Sequence, residues 1–145
     1  MDLTDIYRSF ADVTRLRILN LLLQQPICVC HIQDVLGLPQ VNVSQHLAYL
    51  RNAGIVTFDR VQTWKIYRIV SPAPLELTIN LEALACCVKS NRAFRDDLVR
   101  LKKVLKDCRL STCAPSPADG KASTSTRKRG EEIGRESGTC AASEE

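Results

Sequence analysis

The sequence predicts a mainly α-helical fold with one small β-hairpin, and three observations predict it. Aliphatic residues recur at helical spacing through four segments before Ile55. The period then switches to alternation over two short runs rich in β-branched and aromatic residues, ending at Ile69. Helical spacing resumes at Leu77 and continues to Leu105.

The elements follow in chain order. Ile6, Tyr7 and Phe10 mark a short first helix. Leu16, Leu19, Leu22 and Leu23 place a second over residues 14–24, capped near Asp12 and stopped before Pro26. A third runs from Cys30 to Leu36, with Ile32, Val35 and Leu36 inward and Gly37 ending it. Pro39 opens a fourth, where its missing N–H costs nothing. Val43, Leu47 and Leu50 share one buried face of that helix, and Gly54 terminates it. Ile55 to Arg60 and Trp64 to Ile69 are the two strands of the hairpin, joined by Val61-Gln62-Thr63. Pro72 and Pro74 mark a break. Leu77, Leu81, Leu84, Val88, Phe94, Leu98, Leu101 and Leu105 then form a near-heptad stripe on one long helix. A small domain has little use for so long a stripe, so it predicts a homodimer through the terminal helices. This order describes a winged helix-turn-helix, with Gly37-Leu38-Pro39 as the turn of the motif. The DNA-binding and dimerisation domain is expected over residues 1–110. A disordered tail is expected over residues 111–145, where Ser, Thr, Gly and charge replace apolar periodicity.

Charge is uneven along the chain. The net formal charge is +4, yet residues 114–145 hold five basic and six acidic side chains. Residues 1–113 therefore carry fifteen basic and ten acidic groups, which suits a polyanionic partner. No apolar run approaches the roughly eighteen residues of a membrane span. The start, Met1-Asp2-Leu3-Thr4-Asp5, lacks the apolar core of a secretory signal, so a cytoplasmic location is expected. An enzyme is not expected. A thiol-dependent phosphate chemistry needs a cradling loop, and the one Cys-to-Arg spacing of that kind, Cys86 to Arg92, falls inside a predicted helix.

The seven cysteines carry the chemistry. A cytosolic compartment argues against a disulfide framework and leaves burial, metal ligation or redox chemistry. Cys28 and Cys30 lie just upstream of the fourth helix. Residues two apart on a regular helix point about 200° apart. The pair converges on one ion only if Cys28 lies at or before the first turn, which Pro26 and Ile27 suggest. A helix N-terminus also favours the thiolate. Cys86 or Cys87 can supply a third ligand. Cys108 and Cys113 can join if the chain folds back or a partner subunit approaches, and a separate site drawn from Cys86, Cys87 and the C-terminal thiols is a further option. His31 reads as a surface residue or a support for a ligand, not as a ligand itself.

Gln40, Asn42, Ser44 and Gln45 lie on the first turns of the fourth helix. Gln and Asn pair bidentately with adenine, and Ser donates or accepts. Arg51, Arg60, Lys65 and Arg68 sit at the helix end or on the hairpin, placed for phosphate. For Arg51 and Arg68 the alternative is a solvated face or an intramolecular ion pair. His46 either touches phosphate or packs against the second helix.

The segment Phe10-Ala11-Asp12-Val13-Thr14-Arg15-Leu16-Arg17-Ile18-Leu19 resembles the opening of the ArsR/SmtB family of arsenic- and metal-responsive repressors. Cys28-Val29-Cys30 is similar to that family's metal box. Val43-Ser44-Gln45-His46-Leu47, followed by Leu50-Arg51-Asn52-Ala53-Gly54-Ile55-Val56, resembles its recognition helix, and Trp64 to Ile69 its second wing strand. The resemblance covers roughly residues 5–70. It implies a homodimeric repressor that leaves double-stranded operator DNA of an arsenic-resistance operon when As(III) or Sb(III) binds its thiolates. No organic cofactor is implied, and no membrane. Three positions depart from the pattern: Val13 stands for the usual Pro, His31 for an Asp, and Gln33 for the third thiol of some arsenic sensors. Zinc and cobalt sensors of the family use His on the last helix, and residues 81–105 contain none. Two alternatives keep the fold: a redox or persulfide sensor pairing a thiol near the third helix with one on the long helix, or a Cd/Pb sensor.

Overall fold

The computed structural model describes residues 1–108. The helices are α1 (Leu3–Phe10), α2 (Val13–Leu22), α3 (Val29–Leu36), α4 (Gln40–Asn52), α5 (Leu75–Cys87) and α6 (Arg92–Cys108). The strands are β1 (Ile27–Cys28), β2 (Val56–Val61) and β3 (Trp64–Ile69). The mainly α winged helix-turn-helix expected from the sequence is the fold observed. The expected tail, residues 111–145, lies outside the described residues.

Local chemistry sets the helix limits. Asp12 caps α2, its carboxylate accepting the Arg15 backbone N–H at 2.9 Å. That bond is the main reason the Asp12 carboxyl is held below its ordinary pKa of 3.8. A carboxylate so lowered stabilises the fold above its ordinary value, and the benefit disappears as pH falls through the lower folded value. Asp12→Ala is expected to cost about 1 kcal/mol at neutral pH. Urea unfolding should show the gap between wild type and variant closing on acidification below pH 3.8; a gap that persists there would rule out the carboxylate cap as its source.

Gly37 ends α3 with φ +66°, its N–H donating to the Gln33 carbonyl at 2.8 Å. This left-handed position is where a residue without Cβ is favoured. Leu36 and Val35 on one side and Val43 on the other then drop into the same core.

The sheet is three-stranded, in the order β1-β3-β2, and antiparallel throughout. Val61 pairs with Trp64, so the hairpin turn is Gln62-Thr63, one residue shorter than the expected connection. β1 has no counterpart among the expected elements. Two residues carry no period, yet Ile27 pairs with Tyr67 and Cys28 with Ile66.

The single long terminal helix is a correction. The chain breaks into α5 and α6 around a 3-10 turn at Val88–Ser90 and an extended Asn91. Short polar side chains cause the break. Ser90 donates its hydroxyl to the Cys87 carbonyl at 2.9 Å, and the Asn91 side chain accepts the Ala93 N–H at 3.0 Å. Such bonds offer the backbone an alternative to the helical ladder. The stripe also serves the chain's own core, where Leu77, Leu81, Leu84, Val88, Phe94 and Leu101 are all buried. Among the described residues, no helix is long and apolar enough to cross a membrane.

Candidate DNA-facing surface and thiol centre

Three fully buried side chains, Val43, Leu47 and Leu50, fix which way α4 faces. They leave Gln40, Asn42, Ser44 and Gln45 exposed around the N-terminal half of the helix, with Arg51 exposed near its C-terminal end. The polar side chains expected on the first turns of this helix are all exposed. Val41 is exposed on the same helix at 66%, and the sequence reading passed over it. Its signal was an aliphatic residue off the Val43–Leu47–Leu50 face. An exposed aliphatic among exposed amide and hydroxyl side chains has the chemistry to meet a thymine methyl.

On the wing, Arg60 and Lys65 are directly cross-strand partners and both are exposed. Like charges so placed repel each other and gain from an external anion. Lys65 and Arg51 lie over the Phe58 ring, 5.0 and 5.8 Å from its centroid. Phe58 so brings the helix-end cation and a wing cation around one ring. Arg68 is spent internally, donating to Asp59 at 2.7 Å. His46 approaches Asp12 at 3.7 Å, which places it against the cap of α2.

Cys28 does two things. It is the last residue of β1, and with φ −81° and ψ 161° it is also the extended residue that precedes α3. That extended geometry removes the opposed projection of a regular helix and lets its sulfur meet that of Cys30. The two are joined as a disulfide. Cys28 is 2% exposed and Cys30 half-buried. Next to them, His31 is a correction. It is buried, at 7% exposure, and not at the surface. Both its ring nitrogens are buried with no hydrogen-bond partner among the described residues. Burial pushes the imidazole pKa below its ordinary 6.5, against the opposing pull of Asp34. One donor atom from each of Cys28, Cys30 and His31 falls within 4.8 Å of the other two.

A groove of about 540 Å³ connects the thiols to α4 and the wing. Cys28, Cys30 and Gln33 line one side, Gln40, Ser44 and Arg51 of α4 another, and Thr63, Trp64 and Lys65 of the wing a third. Cys86 and Cys87 are free and exposed at the end of α5. They are not part of the Cys28–Cys30–His31 cluster. The side chains of Cys108 and Cys113 lie outside the described residues.

Comparison with known proteins agrees with this architecture. Residues 12–57 match the family model described as "Bacterial regulatory protein, arsR family". The chain is 43% identical over 74 residues to the uncharacterized HTH-type transcriptional regulator MJ1325 of Methanocaldococcus jannaschii, covering 50% of this chain and 83% of that one. It is 30% identical over 102 residues to the arsenic resistance transcriptional regulator ArsR2 of Pseudomonas putida, covering 69% of this chain and 86% of the relative. Among solved structures, HlyU from Vibrio cholerae N16961 superposes with a TM-score of 0.54 at 28% identity, over 60% of this chain and 91% of that one. Helix-turn-helix, wing, cysteine box and these likenesses converge on one assignment: the chain belongs to the ArsR family of winged-helix transcriptional repressors.

Proposed function

We propose that the protein represses an arsenic-resistance operon and leaves its operator when trivalent arsenic or antimony is bound by its thiolates. The observation that carries this is the shared groove, where Cys28 and Cys30 face the same space as Gln40, Ser44 and Arg51 of α4 and Lys65 of the wing. Cys28 is in register with Ile66 of β3, so a shift of its sulfur strains the wing through the sheet. Cys30 sits in the first turn of α3, which leads through Gly37-Leu38-Pro39 into α4. Ligation at the pair therefore acts on both DNA-contacting elements. The P. putida relative's name, an arsenic resistance regulator, supports the choice of ion. A third thiolate for arsenic comes from Cys86, Cys87, Cys108 or Cys113, of this protomer or its partner.

Residues 1–110 act as a homodimer in this reading. Leu3 and Tyr7 on α1 and Leu75 and Ile79 on α5 are exposed apolar pairs at helical spacing, suited to a second copy. A dimer spans two half-sites about 34 Å apart. Gln40, Asn42, Ser44, Gln45 and Val41 read bases, while Arg51, Arg60 and Lys65 hold phosphates and His46 braces α4 on α2.

Arsenite titrated into the reduced protein–operator complex should lower operator affinity about 5- to 150-fold, read by fluorescence anisotropy. Cys28→Ser with Cys30→Ser should bind the operator normally and ignore arsenite. No release from the reduced wild type sinks the reading, as does unchanged release from the double variant.

The Cys28–Cys30 disulfide favours a second reading, in which this pair is a redox trigger. Peroxide would take two electrons and two protons from the thiols, giving the disulfide and two waters. Operator release by peroxide, with loss of two hydrogens in the peptide holding both cysteines, would support it.

A further inference from the structure

We propose that the outer face of α6 is a docking surface for the acidic segment Glu131-Glu132-Ile133-Gly134-Arg135-Glu136 of the same chain. The inner face of the helix sets what the outer face presents. Phe94, Asp97 and Leu101 are buried, and the helices that α6 mainly packs on are α2 and α3. At 3.6 residues per turn, Arg92, Arg95, Val99, Lys102, Lys103 and Lys106 fall within an arc of about 100° on the opposite side. All six are exposed. Val99, 67% exposed, lies inside the arc among the five cations. Asp96 and Asp107 lie beyond one edge and are also exposed. Among the described residues, Arg92 alone of the five cations has an ion pair, with Asp96 at 3.7 Å. Lys106 stands three and four positions after Lys103 and Lys102. Like charges at that spacing on a helix repel, and an acidic partner relieves the repulsion.

The chain carries the complement in its own sequence, outside the described residues. Residues 131–136 hold three glutamates to one arginine. Ile133 is the one large aliphatic residue in 114–145. An isoleucine among glutamates matches a valine among lysines and arginines. Arg127-Lys128-Arg129, just before the segment, is repelled by the same cations, so the contact starts at Glu131. The reach is sufficient. Val99 lies nine residues before Cys108, about 14 Å back along the helix. Glu131 lies 23 residues after Cys108, and a flexible chain of that length spans about 24–29 Å. Exposed ion pairs are individually weak and screened by salt. Tethering offsets this, because a linker of suitable length holds the segment at an effective concentration on the order of millimolar.

The test uses the full chain, free of DNA, by NMR at about 0.05 M salt. A nuclear Overhauser effect is expected between the Ile133 and Val99 methyl groups. Raising the salt to about 0.5 M should weaken it, since screening then acts over only a few ångströms. Changing Glu131, Glu132 and Glu136 together to Gln should abolish it and shift the backbone amides of Arg95 to Lys106. Lys102→Glu with Lys103→Glu should abolish it as well. All five changed side chains lie on the exposed face or outside the folded elements, and the remaining amides of the same spectrum report that each variant is folded. An absent methyl contact, with α6 amides that the Glu→Gln changes leave unmoved, overturns the proposal. Two other occupants would also overturn it. A contact seen only between differently labelled protomers assigns the face to a second copy. Amides of α6 that respond to duplex DNA but not to the Glu→Gln changes assign it to nucleic acid.

Discussion

Arg17→Ala is expected to cost about 3–5 kcal/mol of stability, measured by urea unfolding at one fixed protein concentration. The reason is the residue it abandons. Asp97 on α6 is 0% exposed, and Arg17 on α2 holds both its carboxylate oxygens at 2.7 Å. The fork geometry satisfies the carboxylate along two parallel bonds, which a lysine cannot reproduce. That contact also raises the Arg17 pKa, so the guanidinium stays charged at every accessible pH. Arg100 stands 4.0 Å from the same carboxylate and recovers only part of the loss, because its side chain is 58% exposed. Truncation of Arg17 therefore leaves a buried charge without its main partner. Replacing both residues with leucine removes the charge together with its partner and should cost much less than the single change. A single variant that loses under about 1 kcal/mol would show that solvent already screens the pair.

The pair also shows where sequence reasoning stopped. Arg17 and Asp97 are eighty positions apart, and each taken alone looks like a solvated helix charge. The helix-turn-helix was legible because its signals are local: Gly37 and Pro39 punctuate the turn, and Val43, Leu47 and Leu50 repeat at helical spacing. The break between α5 and α6 left a trace that was passed over. The stripe jumps six residues from Val88 to Phe94, across Ser90 and Asn91. The strand β1 left none, since its two residues are defined by pairing with β3. The site divided the same way. The exposure of the polar residues of α4 and the convergence of Cys28 with Cys30 followed from periodicity and from Pro26. The burial of His31 did not, because it depends on how α3 packs.

Leu47→Ala tests the link from core to recognition. Leu47 is fully buried between Val43 and Leu50, and these are the three buried side chains that seat α4 on the core. Deleting three carbons removes their transfer free energy and leaves a cavity that rigid neighbours fill only in part, for about 2–5 kcal/mol. The loss should fall on α4 before the rest of the domain. Its N-terminal end has no side-chain cap at Pro39, so packing is what holds it. Hydrogen exchange should therefore quicken most at the amides of α4, while those of α2, held by Asp12 and Arg17, change less. Operator affinity should fall at a temperature where circular dichroism still reports a folded chain, because binding must then order a helix that the wild type presents ready-made. Uniform acceleration across all the helices would mean that α4 has no separate stability, and that the core fixes the domain only as a whole.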